Sequence, residues 1–374
     1  MDFTPKARFV AGGHTTDTPG SITYSSVVSR NSVRLAFLIA GLNDLNILAG
    51  DVTNAYLNAS YREKIWFEGS VESDKDRGKV LIVTRALYGL KSSGAAWRAD
   101  LAATLRDMKL TSSQADPDAW IRSARTHFDM VLVYVDDILV FAKDPKTTMN
   151  ELGKLYEVTP KSVHEPDIYL RANMEKVQML DGKVEWSMGS KTYAKNAIRV
   201  VVALITEDHP EAKSKSKARS PFPSGNKLEL DATPELILGL CFLQVIRILQ
   251  WAIELGCLDI FVEVSQLSQH QALPRCGRRE AFYHIFAYLK KHENGARIVF
   301  DLKTPCIDER AFNSNTDWRD FYGDVYEELP PNLPEPKGKV VNISCFVDAN
   351  HAGNVFTQHS HTGIIIYVRN ALII

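Results

Sequence analysis

Met130-Val131-Leu132-Val133-Tyr134-Val135-Asp136-Asp137-Ile138-Leu139-Val140-Phe141 is an apolar run broken once, by two adjacent acids. Its β-branched and aromatic residues suit a pleated surface, and its simplest fold is a hairpin with Asp136 and Asp137 at the tip. Two ionised carboxylates side by side repel and raise each other's pKa unless a cation neutralises them, so this turn suits a divalent metal. A bare Asp-Asp pair is far more often an ordinary turn. The metal reading therefore needs partners from elsewhere in the chain.

At 374 residues the chain is long enough to bury a sizeable core and to hold two or three domains. Apolar content of 45% and charged content of 24% are those of soluble globular protein and argue against wholesale disorder. A formal net charge of -1 gives no global sign of a nucleic-acid partner, so any basic groove must come from local clustering. The five cysteines, Cys241, Cys257, Cys276, Cys306 and Cys345, show no zinc or redox spacing, which fits a reduced intracellular setting with ordinary buried thiols. Met1-Asp2-Phe3-Thr4-Pro5-Lys6-Ala7-Arg8 lacks the basic-then-apolar grammar of a signal peptide. The longest apolar stretch, residues 240–262, contains Arg247, Glu254 and Asp259, and reads as an amphipathic helix on a core rather than a membrane span.

Periodicity predicts a helix over residues 33–48, ended by Gly50, with a short strand starting at Asp51. A strand over 80–85 and a helix over 95–108 follow, then the hairpin; strands mixed with helices make an α+β layer. Farther on, strands at 173–177 and 183–186 flank the tight-turn pair Asp181-Gly182, and helices are expected at 191–205, 234–255 and 278–292. Residues 213–233 read as a solvated basic linker, with Lys213, Lys215, Lys217 and Arg219 able to touch phosphates but more simply just exposed. Pro330, Pro331, Pro334 and Pro336 rule out regular structure over 327–338, and strands at 340–347 and 363–368 make a small final unit. His284, His292, His351, His359 and His361 lack the flanking pattern of a zinc site.

Metal-assisted phosphoryl transfer requires carboxylates that converge from separate segments. Asp136 and Asp137 supply one segment. Asp51, in Asp51-Val52-Thr53-Asn54-Ala55-Tyr56-Leu57, can supply the other, although alone it would be a surface or strand-capping acid. Between them lies Leu87-Tyr88-Gly89-Leu90-Lys91-Ser92-Ser93-Gly94-Ala95-Ala96-Trp97, in which Gly89 permits close backbone approach and Lys91 is a point charge suited to phosphate. By itself this segment is an ordinary helix-entry loop.

In this order the motifs resemble those of the reverse transcriptase of copia-type LTR retrotransposons. Lys6-Ala7-Arg8-Phe9-Val10-Ala11 resembles the family's entry motif, residues 51–57 its first catalytic motif, residues 87–97 its Tyr-Gly-Leu-Lys motif, and Tyr134-Val135-Asp136-Asp137 its metal-binding tetrad. The resemblance implies a right-hand polymerase in which Asp51, Asp136 and Asp137 ligate Mg²⁺. Lys6 and Arg8 would neutralise the triphosphate, Tyr56 would sit beneath the incoming sugar, and Gly89 and Lys91 would line the nucleotide pocket. Deoxynucleoside triphosphates and an RNA or DNA template-primer are the implied partners, in a cytoplasmic particle or the nucleus. By residue type and spacing alone Tyr56 is as readily a core aromatic.

The implied organisation is partial fingers and palm at 1–150, palm end and a thumb-like region at 151–212, the basic linker at 213–233, a helical thumb or connection at 234–326, a Pro-rich linker at 327–338, and a ribonuclease H-like segment at 339–374. Cys345-Phe346-Val347-Asp348-Ala349-Asn350-His351-Ala352-Gly353 resembles that domain's first strand, with Asp348 as its first metal-binding acid. The other carboxylates of that domain are not seen before Ile374, and most of the fingers are not seen after Met1, so truncation at both ends and no ribonuclease H activity are expected. Gly12 stands where a basic residue is usual, Gly94 where proline is usual, and Arg171 where a glycine is expected, at a position needing close backbone approach or positive φ. The sequence leaves three readings open: an RNA-directed DNA polymerase, a decayed and inactive retrotransposon fragment, or a nucleic-acid-binding module without chemistry.

Overall fold

The structure, a computed structural model, describes residues 9–208, 218–222, 239–272, 275, 277–292, 295–306, 319–324, 328, 331, 333–351 and 358–374. The chain divides into two units, Met1–Pro166 with Lys337–Lys339, and Asp167–Pro336 with Val340–Ile374.

In the first unit the elements run α1 (Arg30–Leu42), β1 (Asn46–Asp51), α2 (Ala55–Asn58), β2 (Trp66–Glu68), β3 (Val80–Ile82), α3 (Ser93–Asp107), β4 (Thr111–Ser112), β5 (Ala119–Ser123), β6 (Phe128–Tyr134), β7 (Asp137–Ala142) and α4 (Pro145–Gly153). Five strands form one antiparallel sheet in the order β1-β7-β6-β5-β4, and β2-β3 is a separate ribbon. The expected hairpin is present: β6 and β7 pair from Met130↔Phe141 to Tyr134↔Asp137, leaving Val135 and Asp136 as a two-residue turn.

The run is apolar throughout because both of its faces are covered. Val131, Val133, Ile138 and Val140 share a core with Trp97, Leu101 and Leu105 of α3 and Met149 and Leu152 of α4. Leu139 and Phe141, offset by one residue, point to the other face, where Phe37 of α1 meets Phe141 edge-on with ring centroids 5.3 Å apart. The N-terminus of α1 is fixed by a buried acid: Asp116 accepts from the Ser29 amide at 2.8 Å and the Ser32 hydroxyl at 2.6 Å.

The helix expected over 33–48 stops instead at Leu42. The Asn43 side chain donates to the Ile39 carbonyl at 2.9 Å, Asp44 turns to φ 52°, and residues 46–51 become β1. Ile47, Leu48 and Ala49 satisfy either period, and pairing with β7 decides between them. Gly50 does not end a helix. It lies inside β1 opposite Ile138, where an added Cβ would come within 2.9 Å of the Met149 sulfur, so its bare backbone lets α4 rest on the strand. Asp51 accordingly ends the strand it was expected to begin.

The second unit contains β8 (Ile168–Tyr169), β9 (Ala172–Gln178), β10 (Val184–Gly189), α5 (Lys191–Asp208), α6 (Gly239–Glu254), α7 (Phe261–Ser268), α8 (Gly277–Lys291), β11 (Arg297–Val299), α9 (Arg319–Tyr322), β12 (Ile343–Ala349), β13 (Thr362–Val368) and β14 (Ala371–Leu372). Its strands form two sheets, β11-β10-β9-β8 and β12-β13-β14. Gly182, at φ 81°, turns β9 into β10 as Asp181-Gly182 foretold. Val201, Phe242, Leu249, Val264, Ile285 and Phe286 bring α5 to α8 around one core, and among the described residues no helix is long and apolar enough to cross a membrane. Cys257 is buried, but Cys306 and Cys345 are exposed, against the expectation of buried thiols. Lys213, Lys215 and Lys217 lie outside the described residues.

The β8–β9 turn consists of Leu170 at φ 50° and Arg171 at φ 68°, between the paired residues Tyr169 and Ala172. Of the two readings at residue 171, close backbone approach or positive φ, the structure has the positive φ, and the left-handed region costs an L side chain roughly 1–2 kcal/mol that glycine avoids. Arg171→Gly is expected to stabilise this unit by about 1 kcal/mol. The measurement is a urea midpoint that rises at unchanged slope; an equal or lower midpoint counts against the strain.

Candidate functional site

Antiparallel pairing of β1 with β7 sets Asp51 directly opposite Asp137. Residues so paired project to one face with Cβ atoms roughly 4.5–5.5 Å apart, and like charges there repel. The Val52 amide, one residue beyond β1, donates to the Asp136 carbonyl at 2.9 Å, which carries the pairing into the turn and brings the third acid to the same corner. The electrostatic result falls on Asp137. Burial first, then the charge of Asp136, then that of Asp51, push its carboxyl up to about 6.

The turn is itself strained. Val135 sits at φ 60°, a left-handed conformation that a β-branched side chain rarely adopts. It is held from two sides. The Trp97 indole donates to the Val135 carbonyl at 2.7 Å, and the Asp136 carbonyl is engaged by Val52. Trp97 is 2% exposed and anchored in the core beneath the sheet, so α3 fixes the turn through a single donor.

Asp51 is held along the outer edge of β1 by residues 157–164. Bridges Val52↔Val158 and Ala49↔His164 lay this strap against the strand. The Asp51 amide donates to Ser162 Oγ at 2.8 Å, the Thr159 amide donates to the Asp51 carbonyl at 2.9 Å, and the Thr159 hydroxyl donates to Asp51 Oδ2 at 3.2 Å. Sequence reasoning missed Trp97, Thr159 and Ser162 as supports of the acids. Thr159 and Asp51 are separated by 108 residues, and nothing in either segment announces the other.

Among the described residues, no group of three or more His, Cys, Asp or Glu side chains is arranged to hold a metal ion by itself. The three acids share a corner without closing a cage. The donor set nevertheless fits a hard dication: every donor is a carboxylate oxygen, and the charges of Asp136 and Asp51 add to burial in raising the Asp137 carboxyl, a repulsion that a cation would relieve. Mg²⁺ commonly takes only one or two carboxylates and completes its shell with water and substrate phosphate.

Tyr56 lies beside this corner. Its phenol is pushed above its ordinary pKa by burial, then by the charge of Asp136, then by Tyr88, whose ring it meets at a tilt of 32° with centroids 4.7 Å apart. Gly89, at φ 91°, is required by the chain itself: a Cβ there would stand 2.1 Å from the Ala11 carbonyl oxygen, where Ala11 donates its amide to Tyr88 at 2.8 Å. Gly13 returns the contact, since a Cβ on it would meet the Gly89 carbonyl oxygen at 2.0 Å. The Lys91 ammonium is exposed and donates to the Thr16 carbonyl at 2.7 Å. Lys6 and Arg8 lie outside the described residues. Asp348 stands in β12 of the second unit, exposed, accepting from the Ala349 amide at 2.9 Å.

Residues 1–158 match the family described as reverse transcriptase (RNA-dependent DNA polymerase). The chain is 27% identical over 320 residues to a retrovirus-related Pol polyprotein from transposon RE1 of Arabidopsis thaliana, which covers 84% of this chain and 20% of the relative. It is 31% identical over 163 residues to the corresponding polyprotein from transposon RE2 of the same plant, covering 41% of this chain and 11% of the relative. With that from transposon TNT 1-94 of Nicotiana tabacum it shares 30% identity over 125 residues, covering 32% of this chain and 9% of the relative. The chain thus spans a fifth or less of the length of these relatives. The resemblance to retrotransposon reverse transcriptases drawn from the motifs is borne out.

Two outcomes follow from the geometry. The folded protein keeps a proton on Asp137 between about pH 4 and 6, where the unfolded chain has lost it, so stability falls as pH rises through that window and is lowest above it. Without divalent ions, Asp137→Asn should match the wild type at pH 4 and be more stable at pH 7 by about 1 kcal/mol, after allowing for the solvent that reaches the group; equal urea midpoints at pH 7 would exclude the repulsion. Trp97→Phe removes the donor to Val135 and part of the core, and is expected to cost about 2–3 kcal/mol. A loss below about 1 kcal/mol in the same titration would show that the turn holds without the indole.

Proposed function

We propose that residues 1–150 hold partial fingers and the palm of an RNA-directed DNA polymerase of the copia-type retrotransposon class, transferring nucleotides to a primer 3′-hydroxyl. The observation that carries this reading is the β1–β7 register, which draws Asp51 toward Asp137 and ties Val52 to the Asp136 carbonyl. Proteins of this kind need carboxylates from two distant segments at one corner of an antiparallel sheet, and here β1 and the β6–β7 turn supply them. Partial fingers precede the palm, residues 151–212 complete it and begin the thumb, the helices of 234–326 continue the thumb or connection, and β12 with Asp348 opens a ribonuclease H-like segment.

In this reading Asp51 and Asp136 hold Mg²⁺, with Asp137 less directly engaged. The bound ions would activate the primer hydroxyl and neutralise the charge developing on the leaving pyrophosphate. The protein's share is positioning. The hairpin sets the height of Asp136, and the strap fixes Asp51. Tyr56, packed at a tilt against Tyr88 and close to Asp136, offers a flat ring beneath the incoming sugar and would clash with a 2′-hydroxyl. Gly89 and Lys91 lie in the loop proposed to line the nucleotide pocket, and Lys6 and Arg8 are proposed to meet the triphosphate. The substrates are deoxynucleoside triphosphates and a primed RNA or DNA template.

Primer extension on an RNA template with Mg²⁺ tests the proposal. Extension is expected from the wild-type chain and should fall to background in Asp136→Ala and Asp51→Asn, while template-primer binding persists. Binding without extension by the wild type would mark a nucleic-acid-binding module, and neither binding nor extension by a cooperatively folded chain would mark an inactive fragment.

A further inference from the structure

The side chains that tie down Asp51, Thr159 and Ser162, lie past the end of the matched segment 1–158. The Thr159 hydroxyl donates to Asp51 Oδ2 at 3.2 Å. That hydroxyl has one proton, so its 2.9 Å contact with Thr53 Oγ1 is donated by Thr53. The result is a directed chain, Thr53 to Thr159 to Asp51, in which each hydroxyl fixes the rotor of the next.

The chain is not needed to hold the strap. Backbone bonds already do so: the Thr53 amide to the Glu157 carbonyl at 2.8 Å, the Thr159 amide to the Asp51 carbonyl at 2.9 Å, and the Ala49 amide to the His164 carbonyl at 2.8 Å. Ser162 adds a second local tie, donating to the Thr159 carbonyl at 2.7 Å while accepting from the Asp51 amide at 2.8 Å. What the Thr159 side chain adds is orientation of the carboxylate. A carboxylate engaged at one oxygen keeps one rotamer and retains lone pairs for a cation, which is how neighbours of a metal ligand raise its affinity.

We propose that Thr159 is a positioning residue for the divalent cation site: with its hydroxyl set by Thr53, it holds the Asp51 carboxylate in the rotamer that meets the ion shared with Asp136. The inference rests on the polymerase reading for the existence of that ion. It is independent of whether nucleotides are incorporated.

The test uses the full chain without nucleotide or template and follows Mn²⁺ binding by the loss of the free-ion electron paramagnetic resonance signal, with thermal unfolding of every variant. Asp51→Asn is expected to abolish the binding. Thr159→Val should weaken it about tenfold, Thr159→Ser should restore it to within about twofold, and both should melt cooperatively. Thr53→Val, which leaves Thr159 and the strap in place, should produce a smaller loss in the same direction, and it carries the comparison if Thr159→Val does not melt cooperatively. If Asp51→Asn loses Mn²⁺ while Thr159→Val and Thr53→Val bind like the wild type, the positioning role is overturned and the metal reading survives. If Asp51→Asn binds Mn²⁺ as the wild type does, the cation site itself is refuted and Thr159 has nothing to position.

Discussion

Two acids facing each other across an antiparallel pair are unfavourable, and the rest of the first unit is arranged around keeping them there. Asp51 and Asp137 cannot move apart without breaking the β1–β7 ladder, and that ladder is locked because its residues are buried on both faces. A slip of one residue would turn Leu139 and Phe141 away from α1 and toward α3, so the hydrophobic pattern fixes the electrostatic one. The repulsion is concentrated at the end of the ladder, where an ion, water or substrate has access and the apolar core does not need to accommodate charge.

The same corner holds conformational strain. A valine at φ 60° in a two-residue turn is tolerated because both turn carbonyls are engaged by groups belonging to other elements, one by a buried indole and one by the amide following β1. The Arg171 turn shows the contrast. There too the backbone is left-handed, but it lies at the end of a two-residue strand, and the cost buys no visible arrangement of charged groups. Strain of similar kind thus has different standing in the two units. At Val135 it places an acid, and at Arg171 nothing in the structure explains it.

Much of this was legible in the chain. The hairpin could be read because its residues are β-branched and the acids interrupt them once, and α3 could be read from the spacing of Leu101 and Leu105. The boundary between α1 and β1 was misread because Ile47-Leu48-Ala49 fits both periods and only the partner strand distinguishes them. Gly50 looked like local punctuation and is in fact a response to something distant, Met149, whereas the close backbone approach read at Gly89 is present and its partner is Ala11. The acids themselves were visible as outliers in apolar surroundings, whereas their supports were not. A tryptophan after two alanines and a threonine before a proline are unremarkable until folding brings Trp97 beneath Val135 and Thr159 beside Asp51.

The strap also sets where this molecule can be cut. A fragment ended at residue 158, where the family match stops, would keep all three acids and still lose Thr159, Ser162 and His164 from the outer side of β1. That strand would then present unpaired amides and carbonyls along an open edge, a surface prone to pairing with other chains. The first unit instead continues to Pro166. Those eight further residues separate a shielded sheet from an adhesive one, so solubility of a truncated product would change sharply over a boundary that the sequence motifs do not mark.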